Sequence, residues 1–146
     1  MKEKNRKIAA ILTLIGVLGI IAVIYTYPRA VVNFVEPLKN GEELECIWIV
    51  HEKFDDPKVV QIIDQDTILT LKEQLEKVRV RYWRRDEAVL YSEDNYLLVV
   101  EFNHPDHRII FQKDGTVYWD DKLYFPVDGE SVALFELLEK VSEEVD

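Results

Sequence analysis

One cysteine and five glycines in 146 residues exclude several kinds of protein. Cys46 alone cannot close an intramolecular disulfide, so an exported domain made from this chain depends on its core or its tether. Catalytic use of that thiol needs a neighbouring base that the sequence does not supply. Cys46 lies in the strand-like run Leu44-Glu-Cys-Ile-Trp-Ile-Val50, on the face of Trp48 by period-two alternation, and reads as a small buried apolar residue. So few glycines leave little material for a phosphate cradle or cofactor loop, and neither G-x-S-x-G nor H-E-x-x-H occurs. The acidic pairs Asp55-Asp56, Glu93-Asp94 and Asp120-Asp121 lack calcium-loop spacing and read as solvated turn residues. There is no internal repeat and no low-complexity tract.

What the chain does have is a stretch without a single charge. Ile8 to Tyr27 holds twenty residues, eleven of them Ile, Leu or Val. As a helix it spans roughly 30 Å, the thickness of a bilayer's hydrocarbon core. Those eleven side chains favour insertion by roughly 3 to 7 kcal/mol. Lys2, Lys4, Arg6 and Lys7 precede the stretch against Glu3 alone, and positive flanks are retained in the cytoplasm. From Pro28 onward there are 14 basic and 27 acidic residues, a formal charge of −13, and this acidic part is the part expected outside. A cleaved signal peptide shares the order of basic and apolar regions. Its apolar core is usually shorter, however, and Tyr25-Thr-Tyr-Pro-Arg29 offers no small-x-small cleavage site.

The expected organisation is a cytoplasmic basic head over 1–7, a transmembrane helix over 8–27, a linker or stalk over 28–41 containing Pro28, Pro37 and the turn signal Lys39-Asn-Gly41, and an extracytoplasmic domain over 42–146. Within that domain, Leu44–Glu52 and Lys58–Ile63 pattern as strands paired in a hairpin across Lys53-Phe-Asp-Asp-Pro57. Asp64 or Asp66 caps a helix whose Ile68, Leu71, Leu75 and Val78 share one face. A polar crossing segment follows, then strands Tyr96–Phe102 and His107–Gln112 joined across Asn103-His-Pro-Asp106. Lys113-Asp-Gly-Thr116 turns into a strand over Val117–Asp120; Asp120-Asp-Lys122 bends the chain, and Leu123–Val127 adds a short edge strand limited by Pro126. Ser131 caps a last helix with Leu134, Phe135, Leu138 and Val141 on its apolar stripe. The order β-β-α-β-β-β-(β)-α predicts an α+β fold, a small antiparallel sheet with two amphipathic helices on one face.

The strand Ile47-Trp-Ile49, the helix from Asp64 to Leu75, the strand Tyr96–Phe102, Lys113-Asp-Gly115 with Tyr118, Tyr124 and the last helix together resemble an uncharacterised family of small membrane-attached extracytoplasmic domains from Gram-positive bacteria. The resemblance covers nearly all of the chain after Glu42 and implies the fold and the location. It transfers no catalytic residue. Many members look like lipoproteins; this chain has no lipobox cysteine, so its anchor would be residues 8–27.

Two groups of residues are candidates for chemistry. His104-Pro-Asp-His107, with His51 as a third imidazole, has the residue types of a metal site, although Pro105-Asp106 is also ordinary hairpin material. Lys77-Val-Arg-Val-Arg-Tyr-Trp-Arg-Arg85 is the one dense basic run; if extended, it puts Lys77, Arg79 and Arg81 on one face. Arg79, Arg81, Arg84 and Arg85 are candidate contacts for an anionic partner, with pairing to the domain's own carboxylates as the plainer alternative. Export excludes nucleic acid, leaving an anionic wall polymer, lipid headgroups or an envelope protein. The expected function is non-enzymatic binding by an anchored domain, with no cofactor. A cell-surface hydrolase or metal-binding protein, and a membrane-bound immunity or regulatory partner, are the alternatives.

Overall fold

The computed structural model describes residues 2–52, 57–85 and 96–145, with the side chains of 84 and 85 excepted. Helix α1 runs from Lys2 to Thr26 and buries no side chain. It is long and apolar enough to cross a membrane. The helix includes the basic head, where Lys7 and Glu3 pair at 3.2 Å one turn apart. Its two hydroxyls are occupied internally, Thr13 donating to the Ala9 carbonyl at 2.9 Å and Thr26 to the Ala22 carbonyl at 2.7 Å. Such back-bonding lets Thr sit on an otherwise apolar surface without exposing an unmet donor.

The remainder is α+β, as the patterning predicts. Among the described residues, eight strands form one antiparallel sheet: β1 (Arg29–Ala30), β2 (Ile47–Glu52), β3 (Lys58–Ile62), β4 (Arg79–Arg85), β5 (Leu97–Phe102), β6 (His104–Gln112), β7 (Val117–Trp119) and β8 (Lys122–Pro126). Their spatial order is β1-β4-β8-β7-β6-β5-β2-β3. Paired positions share a face, so the register Ile49↔Val100, Val100↔Ile109, Phe111↔Val117 and Val117↔Tyr124 carries one apolar layer across the sheet. These residues are all fully buried. Helices α3 (Gln65–Lys77) and α4 (Glu130–Glu144) cover that layer with Ile68, Leu71 and Leu75 from one and Leu134, Phe135 and Leu138 from the other.

Two expectations about strands are corrected. Residues 79–85 are a strand rather than a crossing segment, and they pair with both β1 and β8. Leu123–Val127 is therefore no edge. Strand β8 lies between β4 and β7, and Pro126 is tolerated because it is the strand's last residue. Among the described residues, short β1 at one side and β3 at the other form the edges. The expected turn over 53–57 lies mostly outside the described residues, as do the acidic pairs at 55–56 and 93–94.

The segment 28–41 is not a free stalk. After β1, a single 3₁₀ turn (Val31–Asn33) and the four-residue helix α2 (Glu36–Lys39) tuck Val31, Phe34, Val35 and Leu38 into the same core as the sheet. Phe34 stacks on Trp119 at 4.7 Å and tilts against Tyr124 at 4.8 Å. The folded unit thus begins at Arg29, three residues after α1 ends at Thr26, and Pro37 serves as an early helix residue rather than a linker mark.

Local chemistry explains most of the boundaries. Asp64 caps α3 by accepting from the Thr67 amide at 2.9 Å and its hydroxyl at 2.6 Å. The hydroxyl first, then the amide, hold the Asp64 carboxyl below the usual carboxylate range. Because the folded value is the depressed one, this contribution is present above the unfolded value of 3.8 and is lost as pH falls through the folded one. Asp64→Asn is expected to lower the melting temperature at neutral pH, with the gap from wild type closing below about pH 4; a gap independent of pH would remove the charged cap from the explanation. Helix α4 starts two residues earlier than expected. Gly129 is its N-cap, and Ser131 lies in the first turn with its hydroxyl donated to the Gly115 carbonyl at 2.6 Å.

Gly115 has φ +88, and an added Cβ would meet Val132 Cγ2 at 2.9 Å, so both the turn and its packing against α4 require glycine. Asp120 and Asp121, expected to bend the chain, form the two-residue turn of the β7–β8 hairpin with φ 49 and 55. Asn103 has φ 60, and its side chain accepts from the Glu45 and Cys46 amides at 2.8 and 3.3 Å and donates to the Glu43 carbonyl at 3.0 Å. One residue therefore makes the β5–β6 turn and fastens the chain leading into β2. The turn is tighter than 103–106, since His104 already pairs with Phe102.

Candidate functional site

The three histidines do not converge. His51 is opposite Leu98 and His104 opposite Phe102, four residues apart along β5, or roughly 13 Å. His104 and His107 have ring centroids 6.2 Å apart, and His104 Nδ1 accepts from the Asp106 amide at 3.2 Å, closing a local turn. Among the described residues no group of three or more His, Cys, Asp or Glu is placed to hold a metal ion.

His51 is instead buried beneath α4 in a short hydrogen bond between its Nε2 and Ser142 Oγ. A histidine touching a serine is the beginning of a nucleophilic dyad, but this serine is also engaged by its own helix, its hydroxyl donating to the Glu139 carbonyl at 2.7 Å. The imidazole tautomer sets which group donates in the contact with His51. The pair joins β2 to α4, much as Gln74 joins α3 to α4 through the Glu130 carboxylate at 2.7 Å. Ser142→Ala removes the hydrogen bond to the buried His51 Nε2, and a loss of about 1 to 3 kcal/mol is expected in thermal unfolding. A melt unchanged from wild type would mean that the contact contributes nothing.

The basic run divides. Lys77 is the last residue of α3, so it does not share a strand face with Arg79 and Arg81. Arg79 donates to the Glu76 carbonyl at 2.6 Å and the Val78 carbonyl at 3.1 Å, which satisfies the end of α3 and engages its guanidinium. Arg81 is exposed on the sheet face away from the helices. Arg84 and Arg85 belong to β4, opposite Leu123 and Lys122, while their side chains lie outside the described residues. Near Arg81, the exposed rings of Trp83 and Phe125 stack at 4.2 Å. Cys46 is half-buried rather than buried, and its residue takes part in the Asn103 clasp through its backbone.

Two concave surfaces share the Phe34–Trp119 stack as a wall. The larger, about 430 Å³, opens at the end of the sheet between Glu36, Asp106, Arg108, Tyr118 and Asp120. Its carboxylates are partly committed: Asp120 pairs with Lys122 at 2.7 Å, and Asp121 accepts from the Tyr118 hydroxyl at 3.0 Å. The smaller, about 340 Å³, lies at the foot of α1 and is lined by Tyr27, Arg29, Asn33 and Trp119 among others. Beside it the Tyr124 hydroxyl is buried, with the Arg29 guanidinium as the polar group that faces it. Burial pushes its pKa up, opposed by the positive charges of Arg29 and Lys122 and by hydrogen bonding from Arg29.

Sequence patterning missed Asn103, Ser142 and Arg29. Positive φ at asparagine and a lone buried serine have no periodic signature, and Arg29 was assigned to a linker. No protein-family model matches this chain, and no curated protein or solved structure matches it either.

Proposed function

We propose that this is a single-pass membrane protein, amino terminus in the cytoplasm, whose acidic α+β domain stands outside and acts by binding an envelope partner rather than by catalysis. The observation that carries the reading is α1: a long apolar helix with no buried side chain leads within three residues into the first strand of the sheet. A surface without charge from Ile8 to Tyr27, whose protein contact among the described residues lies at its last turn, where Tyr25 meets Tyr82, is suited to lipid. The basic head supports the orientation, and the resemblance to membrane-attached extracytoplasmic domains agrees with it.

Binding is favoured over chemistry because the polar groups that could begin a reaction are used to hold the fold, as with His51 on Ser142 and Arg79 on the end of α3. The face bearing Arg81 beside the stacked Trp83 and Phe125 is the surface offered to an anionic wall polymer or an envelope protein. Aromatic rings and arginine are the side chains that contribute most at binding surfaces.

Orientation is tested with Glu136→Cys, an exposed site on α4, in a Cys46→Ala background. A membrane-impermeant maleimide added to intact cells is expected to label it. Labelling only after lysis would reverse the orientation.

A further inference from the structure

The cleft at the foot of α1 has a position and a lining that the binding reading above does not use. Strand β4 runs antiparallel to β1 and so passes back alongside the end of the helix, where Tyr82 meets Tyr25 at 5.4 Å. The cleft is therefore level with the last turn of α1. Arg29 is three residues past Thr26, at most about 10 Å along an extended chain. The polar layer of a bilayer is roughly 5 to 8 Å deep on each side. A helix filling the hydrocarbon core thus delivers this cleft to the headgroups.

Its lining suits a phosphate. Arg29 is half-buried and faces the Tyr124 hydroxyl, a neutral partner that leaves its charge unbalanced, and it makes no ion pair among the described residues; the Asn33 amide makes no side-chain hydrogen bond there. A guanidinium offers a planar pair of donors to phosphate oxygens, and an adjacent amide adds a third. Lys122 extends over the Trp119 ring at 5.8 Å, and its charge is balanced by Asp120 at 2.7 Å, so Arg29 is the cation that the cleft lining itself supplies. Tyr27, Phe34 and Trp119 supply the remaining surface, and tyrosine and tryptophan are the rings that favour the boundary between hydrocarbon and water.

We infer that this cleft binds the phosphodiester headgroup of an anionic phospholipid in the leaflet where α1 emerges, through Arg29 and Asn33 against the Trp119 wall. The site rests on α1 being a membrane anchor, but not on its direction, since both leaflets present phosphodiesters. Its consequence is mechanical. A domain of formal charge −13 is repelled by an anionic surface, and one cationic foothold beside the helix sets the face it turns to the bilayer.

The test uses the full chain in non-ionic detergent with Trp48→Phe and Trp83→Phe, so that Trp119 alone reports. Dihexanoyl phosphatidylglycerol, kept below its micelle-forming concentration, is expected to change Trp119 emission saturably. Arg29→Gln should weaken that binding about tenfold, while Lys140→Gln on the far helix leaves it unaltered. Native mass spectrometry of the unsubstituted chain is expected to show a lipid adduct that Arg29→Gln loses, which keeps the test independent of the tryptophan changes. An equal response to inorganic phosphate would overturn the lipid assignment. Absence of saturation, or full affinity in an Arg29→Gln chain with unchanged circular dichroism, would overturn the site. Reversed labelling of Glu136→Cys would sink the proposed orientation and leave this result standing.

Discussion

Phe34→Ala is expected to destabilise the domain by about 3 kcal/mol, in a segment whose sequence reads as a tether. The ring is buried between Trp119 and Tyr124, at centroid distances of 4.7 and 4.8 Å, and helps to join the 3₁₀ turn to the sheet. Truncation removes the transfer free energy of a benzyl group and leaves a void walled by aromatic rings that are themselves fixed in place. For a domain of this size, that loss lowers the melting temperature by roughly 10 °C. Leu69→Ala is the matched control, because Leu69 is 55% exposed on α3 and its truncation should cost less than about 0.5 kcal/mol. Circular dichroism melts of the two variants decide the question. If Phe34→Ala unfolds with the control, residues 28–41 are a stalk after all.

The second large effect concerns α1. Two arginines at Leu14 and Leu18, one turn apart in the middle of the helix, oppose insertion by roughly 6 to 8 kcal/mol, counting the lost leucines. The apolar residues of Ile8–Tyr27 favour it by roughly 3 to 7 kcal/mol, so the balance is cancelled or reversed. The doubly substituted chain is expected in the soluble fraction after alkaline extraction, where the wild type stays with the membrane. Its domain should melt within a few degrees of wild type, because α1 buries no side chain and meets the sheet only near its last turn. A chain that remained membrane-integrated would show that α1 is not the span. One that lost its fold as well would show that the helix supports the domain.

The fold was legible to the extent that its elements are periodic. Ile68, Leu71 and Leu75 recur at helical spacing, and Asp64 caps them, because both signals are contained within one turn of chain. Strands β2, β3, β5 and β6 alternate or run apolar for the same local reason. Strand β4 was harder to read. Its Arg79, Arg81, Arg84 and Arg85 look like a solvated surface, and only pairing with β1 and β8 makes a strand of them. Residues 28–41 failed in the opposite sense. Two prolines and an Asn-Gly turn are linker chemistry, yet Val31, Phe34, Val35 and Leu38 have no regular spacing and become core only when the sheet is beneath them.

The candidate site was less legible still, because it depends on contacts between residues far apart in sequence. His51 and Ser142 are ninety-one residues apart, and their partnership exists only once α4 crosses β2. Arg29 and Trp119 likewise meet only through the fold. By itself, the sequence determined the apolar helix, the charge imbalance on its two sides and the α+β class, since each is a property of composition or of short-range period. Tertiary structure alone decided that the domain starts at the helix end without a stalk, that the histidines are separate, and that a cationic, aromatic cleft lies where α1 stops. Those outcomes follow from strand order and burial, which no local pattern along the chain encodes.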